Sequence, residues 1–482
     1  MTDTQSRLRA IPQISAVLAD ERIRPLLAGR RREWVTRLVQ RRIEALRARL
    51  LRGEGPTADR ERLLKEVVQD IVGQYDDLLA PAWTRVLNGT GVVVHTNLGR
   101  ANLPPAAVRA MAQVAAANSD LEYDLAAGAR GHRGRRVEAK AALLAGAEDA
   151  LIVNNNAAAV WLTVRFASRG GPVVLSRGEV VAIGGSFRMH EILAETGCTL
   201  VEIGTTNRTG LDDYRQAMTP GATVLKVHRS NFAVEGFTED VDLPELAAAC
   251  REAGCTLIYD AGSGALHPMD ELGLPAGERL LAEDVATGAD LVTCSGDKLL
   301  GGCQAGIILG RHDLIAGLRR HPMRRAFRVD KTTLAALDAV LSAYLAAEGR
   351  PEVPTITQLG MDEALLQRRA ADLLALLVPH APAHWRGGVV PGESSVGGGS
   401  FSTAAMASRL VLWQAPKAEL EACHRRLRTG RPALVGRMNQ DGLAVDVRTL
   451  TDEEFPEVVA AFGRAWAASG KDDPAGRSGR TD

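Results

Sequence analysis

The sequence predicts an α/β fold, a mostly parallel sheet flanked by helices, and three observations predict it. Seven short β-branched or aliphatic runs recur at 151–153, 173–175, 199–202, 224–227, 257–259, 291–293 and 307–309. Helix-length segments alternate with them, the pattern of βα units. Polar residues collect just beyond the ends of these runs, at 154–156, 177–179, Asn207, 228–231 and Asp260, where open parallel sheets bind their ligands.

Composition narrows the class. The chain has 482 residues with 58 basic against 58 acidic side chains, so no overall charge drives it toward nucleic acid or a membrane surface. No apolar run approaches the roughly 18 residues that a spanning helix needs, and the first residues lack a signal-peptide pattern. The six cysteines (Cys198, Cys250, Cys255, Cys294, Cys303, Cys423) are scattered, with no C-x-x-C pair. Neither a disulfide framework nor a metal site is expected, and a reduced, cytoplasmic enzyme is the expectation.

Taken in order, residues 1–70 form an expected helical N-terminal domain. Residues 1–60 carry fourteen arginines, no lysine and seven acids, a local net of +7. Trp34, Val35, Leu38 and Val39 recur at helical spacing with arginines on the other faces. That is either a solvated amphipathic helix or a phosphate-binding face. Residues 53–57 break the pattern, and a helix at about 59–79 leads to the core, 71–340. The core opens on 85–100, a strand flanked by glycine turns and bearing His95, Asn97 and Arg100. Segment 128–136 sets four arginines among three glycines. It is either a solvated loop or one that wraps an anion, since glycine lets backbone approach a ligand closely. A smaller α+β domain is expected at 341–470, with Gly397-Gly398-Gly399-Ser400 and a strand-like run at 443–450. The Gly/Asp/Arg-rich tail, 471–482, has a disordered composition.

The region of seven runs centres on one lysine. Residues 291–293 lead into Ser295-Gly296-Asp297-Lys298, and Gly301-Gly302 precede the next apolar run. This reads as strand, tight turn, strand. A lysine held there is placed for partial desolvation, which leaves its amine neutral and nucleophilic; the alternative is a surface lysine on a hairpin. Such an amine forms a Schiff base, and the remaining parts of a pyridoxal phosphate site are present. Asp260 ends an apolar run and is placed to pair with the cofactor's pyridinium nitrogen. Ser295, three residues before Lys298, is a candidate for hydrogen-bonding the phosphate. Asn156 and Ala157 open a helix whose N–H groups can bind it as well. His228 either stacks on the cofactor ring or is a polar loop residue. Arg325 and Arg328, three apart, share one face and can fork an oxyanion.

Together these stretches resemble the bacterial selenocysteine synthases, the L-seryl-tRNA(Sec) selenium transferases, a family of fold-type I pyridoxal phosphate enzymes. The matching pieces begin with Asn88-Gly89-Thr90-Gly91, His95-Thr96-Asn97-Leu98-Gly99-Arg100 and Leu121-Glu122-Tyr123-Asp124-Leu125. They continue with Ser176-Arg177-Gly178-Glu179, Gly204-Thr205-Thr206-Asn207 and Lys226-Val227-His228, then 295–302, 325–332 and 396–400. One departure is Gly89, where a polar or larger residue is expected. The resemblance implies conversion of L-seryl-tRNA(Sec) to L-selenocysteinyl-tRNA(Sec). The route is β-elimination of the seryl hydroxyl to an aminoacrylyl-tRNA, then addition of selenium from selenophosphate. It implies that Lys298 holds the cofactor, that Arg100, Arg325 and Arg328 bind selenophosphate or its phosphate, and that Asp297 assists as acid or base. Three arginines suit a three-oxygen anion better than a carboxylate, which one bidentate partner satisfies. The resemblance also implies that the N-terminal domain recognises the tRNA. It implies a homo-oligomer built from dimers, a decamer, with active sites at dimer interfaces.

Two rival readings are of other kinds. One is a pyridoxal lyase or transferase acting on a free amino acid or sugar acid, which has no use for basic N-terminal helices. The other is an RNA-binding protein that kept the fold without the catalysis, against which Asp260 and Lys298 argue.

Overall fold

The computed structural model describes residues 7–28, 31–54, 59–183, 187–275 and 278–468, and the tail at 471–482 lies outside them. The chain divides into two compact units, 1–85 and 86–482.

The first unit contains the helices Ile14–Ala19, Arg31–Leu51 and Arg60–Leu79. Val35, Val39, Ile43, Leu46 and Leu50 are the buried stripe of the second, at the spacing one helix face requires. They share a core with Leu63, Val67, Val68, Ile71 and Tyr75 of the third. Trp34, grouped with the apolar face in the sequence, is 70% exposed, because one residue of helix turns it about 100° off the Val35 stripe. The third helix runs unbroken through residue 70, where the sequence set a domain boundary. Its buried face stays with this core as far as Tyr75.

The second unit is built on a seven-stranded sheet. Its order is Asp149–Val153, Gly306–Gly310, Leu291–Ser295, Thr256–Gly262, Thr223–Val227, Pro172–Ser176 and Thr199–Ile203. Only Gly306–Gly310 runs antiparallel to its neighbours. All seven apolar runs are therefore strands, and, except at the partly exposed edge strand Thr199–Ile203, burial on both faces explains their continuity. Ala150 and Ile152 pack into one core, while Leu151 and Val153, pointing the other way, pack into a second.

A five-stranded sheet follows, ordered Arg437–Asn439, Gly442–Asp446, Ser400–Gln414, Arg386–Gly397 and Val92–Val94. Its core holds Trp385, Trp413, Phe462 and Trp466, with Trp413 and Trp466 edge to face at 5.1 Å. Gly397 pairs with Ser400, and the two residues between them, Gly398 and Gly399, have φ of +67° and +76°. A two-residue hairpin turn with both φ positive is what those glycines permit.

Four expectations are corrected here. Val86–Asn88 and Val92–Val94, assigned to the large core, pair instead with Ala433–Val435 and Arg386–Gly397. The helix Lys331–Ala346 runs through the boundary set at 340/341, since Leu337, Val340 and Leu341 are all buried in the core of the large sheet. Gly89 cannot be larger: a Cβ there would meet Val445 Cγ1 at 2.9 Å and the Val435 carbonyl oxygen at 3.2 Å. The run at 443–450 is strand only as far as Asp446, whose side chain caps the 3-10 turn Val447–Thr449. Among the described residues no helix is long and apolar enough to cross a membrane.

Candidate active site

Lys298 lies in the loop joining Leu291–Ser295 to its antiparallel neighbour Gly306–Gly310. The loop is ten residues long, not the tight turn expected, and it is pinned from within. Gly302 N–H donates to the Gly296 carbonyl at 2.8 Å, and Gly296 N–H to that of Ala305 at 2.9 Å. Gly301 has φ +70°, and a Cβ there would fall 2.3 Å from Val353, so both conformation and space demand glycine. Leu299 and Leu300 are fully buried, and Lys298 itself is 5% exposed. Burial pushes its ammonium below the usual lysine range; Asp260 opposes that shift, Arg100 reinforces it and Asp297 opposes it. The Asp297 carboxylate accepts from Arg100 Nη1 at 3.0 and 2.9 Å. Arg100, at φ +65°, is brought there by the 3-10 turn Thr96–Leu98.

Asp260 is also buried and accepts from Asn156 Nδ2 at 2.8 Å and Thr293 Oγ1 at 3.1 Å. The strand bulges between Asp260 and Gly262, which re-aims side chains at a sheet's edge. Burial raises the Asp260 carboxyl despite those donors and the nearby Lys298. The helix Asn156–Ser168 is capped by Asn155, whose Oδ1 accepts from Ala158 N–H at 2.9 Å. The N–H groups of Asn156 and Ala157 have no partner within a helix at that position. Ser295 is buried at the end of its strand, opposite Gly306.

Pyridoxal phosphate fits these residues. A buried carboxylate at the carboxyl end of a strand awaits a cation, a buried amine stands near it, and a helix N-terminus opens on the same end of the sheet. Asn156 Oδ1, moreover, is buried without a partner. His228 is placed by its N–H, which donates to the Asp260 carbonyl at 2.9 Å, and by its Nε2, 3.4 Å from Glu278 Oε1. Glu278 also accepts from Ser263 Oγ at 2.5 Å.

Asp284, near Glu278 and His228, supplies a pH signature. Burial pushes its carboxyl up to about 7, against the charges of Arg279 and His228. A folded-state value above the unfolded one favours folding below the unfolded value and loses that benefit as pH rises through about 7. Asp284→Asn is therefore expected to raise the thermal midpoint by several degrees at pH 8 and to leave it almost unchanged near pH 4, at the unfolded value. Equal shifts at both pH values would contradict the assignment.

Arg325 and Arg328 do come together, in a cavity of about 430 Å³ that Arg130, His132, Arg133, Arg319 and Arg324 also line. Arg100 does not line it; its tie to Asp297 holds it beside Lys298. One acid organises the arginines. Glu122 pairs with Arg328, with Arg133 at 3.0 Å and with Arg130 at 3.3 Å. Sequence reasoning matched the Leu121–Leu125 stretch without giving Glu122 a role; an acidic stretch, Asp120, Glu122 and Asp124, just ahead of four arginines was the available signal. Thr293 and Asn155 were missed too, since a threonine in a strand and one asparagine of three carry no local mark. The Ser176–Glu179 and Lys226–His228 stretches meet in a buried network: Glu179 accepts from Lys226 Nζ at 2.8 Å and from Val227 N–H at 2.9 Å.

Comparison with known proteins agrees with this architecture. The family model for L-seryl-tRNA selenium transferase matches residues 86–451. An L-seryl-tRNA(Sec) selenium transferase of Carboxydothermus hydrogenoformans is 40% identical over 93% of this chain and 95% of its own. One of Geobacter sulfurreducens is 41% identical over 94% and 98%. Among solved structures, that of D-glucosaminate-6-phosphate ammonia-lyase superposes with a TM-score of 0.57 at 21% identity, over 83% of this chain and 99% of that one, a likeness of fold. With the family's match spanning both sheets and the loop of Lys298, the chain belongs to the L-seryl-tRNA selenium transferase family.

Proposed function

We propose that this chain converts L-seryl-tRNA(Sec) to L-selenocysteinyl-tRNA(Sec) with pyridoxal phosphate bound at Lys298 and selenophosphate as the selenium donor. The observation that carries the reading is Lys298, sunk between Asp260 and the Arg100–Asp297 pair in a chain whose relatives bear that activity's name. When bound, the cofactor supplies an electron sink that acidifies the seryl α-carbon. Asp260 would hold the ring nitrogen's proton, Asn156, Ala157 and Ser295 would hold the phosphate, and His228 would flank the ring. Lys298 Nζ takes the α-proton, and Arg100 helps keep that amine neutral. Asp297 holds Arg100 in place and would assist proton transfer there as acid or base.

Selenophosphate held between Arg100 of one copy and Arg325 and Arg328 of another would join groups that one chain keeps apart. A homo-oligomer built from dimers, a decamer in the cytoplasm, therefore belongs to the proposal. The N-terminal unit would grip the tRNA. Arg42 and Arg49 are spent on Asp70 and Glu66, which leaves exposed Arg41 and Arg47 together with Trp34 as the surface for phosphates and a stacked base. Arg41→Ala/Arg47→Ala is expected to weaken tRNA binding about tenfold and to lower its salt slope by about two.

The deciding experiment is a visible-absorbance titration of the full-length, cofactor-loaded protein. A cofactor band that shifts with seryl-tRNA(Sec) and not with free serine supports the selenium transferase. A shift with free serine or another small amine, and none with the charged tRNA, would replace it with a small-molecule lyase. Absence of any band after cofactor is added would remove Lys298 from its role.

A further inference from the structure

The basic cavity contains one guanidinium that the selenophosphate reading leaves without a task. Arg324 belongs to the short 3-10 helix Pro322–Arg325. It is half-buried, and its Nε is out of solvent with no hydrogen-bond partner. Arg133 and Arg328 share Glu122, and Arg319 is matched by Asp149 and Glu138. Among the described residues Arg324 has no ion-pair partner. It also lies deeper than the exposed Arg325, lining both the main cavity and a smaller one behind it that Arg133 and Glu138 share. Burial lowers its affinity for its own proton; the Glu138 charge opposes that, and the charges of Arg319 and Arg133 reinforce it. A half-buried cation under that pressure is favourable only when an anion arrives. His132 is beside it: burial and the charges of Arg319 and Arg324 hold that imidazole below the usual histidine range, ready to donate one hydrogen bond as a neutral ring.

We propose that Arg324, with His132 beside it, forms a second oxyanion seat in this cavity, distinct from the Arg325–Arg328 pair, and that its ligand is a phosphoryl group. The proposal rests on the selenophosphate reading in one respect, that Arg325 and Arg328 already hold one anion. The planar fork of arginine matches two phosphate oxygens, and the free Nε of Arg324 is one tooth of that fork. Two sources share this chemistry: inorganic phosphate released from the selenium donor, and a backbone phosphate at the acceptor end of the charged tRNA.

The test uses the full-length protein and two probes. Calorimetric titration with inorganic phosphate at low ionic strength is expected to find two phosphates per wild-type chain, one in Arg324→Met and one in Arg325→Met/Arg328→Met. If the seat serves the tRNA backbone, the wild type counts one free phosphate, and Arg324→Met lowers the slope of log affinity for seryl-tRNA against log salt by about one. If it serves free phosphate, the slope is unchanged and the second phosphate is lost. One phosphate in the wild type with an unchanged slope overturns the proposal, as do two phosphates that survive Arg324→Met. Loss of phosphate in Arg324→Met alone, with full binding retained by Arg325→Met/Arg328→Met, would keep this seat and sink the reading of the other pair. Should Arg324→Met fail to fold, Arg324→Lys, which keeps the charge without the fork, is expected to bind the second phosphate about tenfold more weakly, and wild-type affinity in that variant would count against the seat.

Discussion

Lys298→Ala is expected to lower turnover by at least about a thousandfold and to abolish the cofactor's absorbance band. A positioned proton-transfer group alone is worth roughly 10²–10⁴-fold, and Lys298 is also the covalent anchor. The fold, by contrast, is expected to survive or to gain. The variant removes a buried amine, while Asp260 keeps its bonds from Asn156 and Thr293 and Asp297 keeps Arg100. The sign follows from the direction of the shift. The folded protein holds the Lys298 proton less tightly than the unfolded chain does, so the lysine's cost is greatest near neutral pH and fades toward pH 10. The gain in unfolding midpoint should follow that course. A Lys298→Ala protein that turns over at more than a tenth of the wild-type rate would remove the residue from the chemistry. One that unfolds at neutral pH would make it structural. Lys298→Arg is expected to be as inactive, because a guanidinium stays charged at every accessible pH. Arg100→Ala should leave a weaker activity whose acid limb moves upward in pH, since the positive neighbour that helps keep Lys298 neutral is gone.

The large sheet was legible because all its strands but the edge strand Thr199–Ile203 are buried on both faces, so they wrote continuous apolar runs between helix-length gaps. Lys298 and Asp260 were legible for the complementary reason, that charged residues inside such runs lack a structural excuse. Val86–Asn88 and Val92–Val94 were not. A three-residue apolar run looks the same in either sheet, and the contacts that decide its place are more than 300 residues away; Gly91 N–H, for instance, donates to Thr449 Oγ1. Trp34 failed through a smaller error, since a stripe read from four residues tolerates a 100° mistake that Ile43, Leu46 and Leu50 then correct. The split between Arg100 and the Arg325–Arg328 cavity was invisible for another reason. Spacing along the chain brings residues to a common face only within one element, and these belong to different ones.

The Asn88–Gly91 stretch has its explanation in Asp446, and the second large effect is expected there. Asp446 is fully buried. One oxygen accepts from Ser394 Oγ at 2.7 Å and Arg437 Nη2 at 2.6 Å, the other from Ser408 Oγ at 2.8 Å and Arg448 N–H at 3.0 Å. Its own N–H donates to the Gly89 carbonyl at 2.9 Å. Gly91, at φ +72°, packs so closely that a Cβ would lie 2.0 Å from Asp446 Oδ2. Asp446→Ala leaves a guanidinium, two hydroxyls and an N–H without their acceptor. Stranding the partner of a buried charge costs about 3–5 kcal/mol; Arg437 is 34% exposed and reaches water, so about 3 kcal/mol is expected. Asp446→Asn keeps the shape and some of the bonds and should cost about 1–2 kcal/mol. Tryptophan fluorescence during urea unfolding reads this region directly, because Trp385, Trp413 and Trp466 all lie in its core. Gly91→Ala should approach Asp446→Ala in cost, and the double variant should cost less than the two single ones summed, because alanine at 446 frees the space into which the Gly91 Cβ would grow. Full additivity would mean that the two residues act independently. The consequence for function runs along the chain: Val92–Val94 is the strand from which Arg100 departs, so loosening its anchor should raise the apparent Km for the anionic substrate before it lowers the melting point enough to inactivate the enzyme.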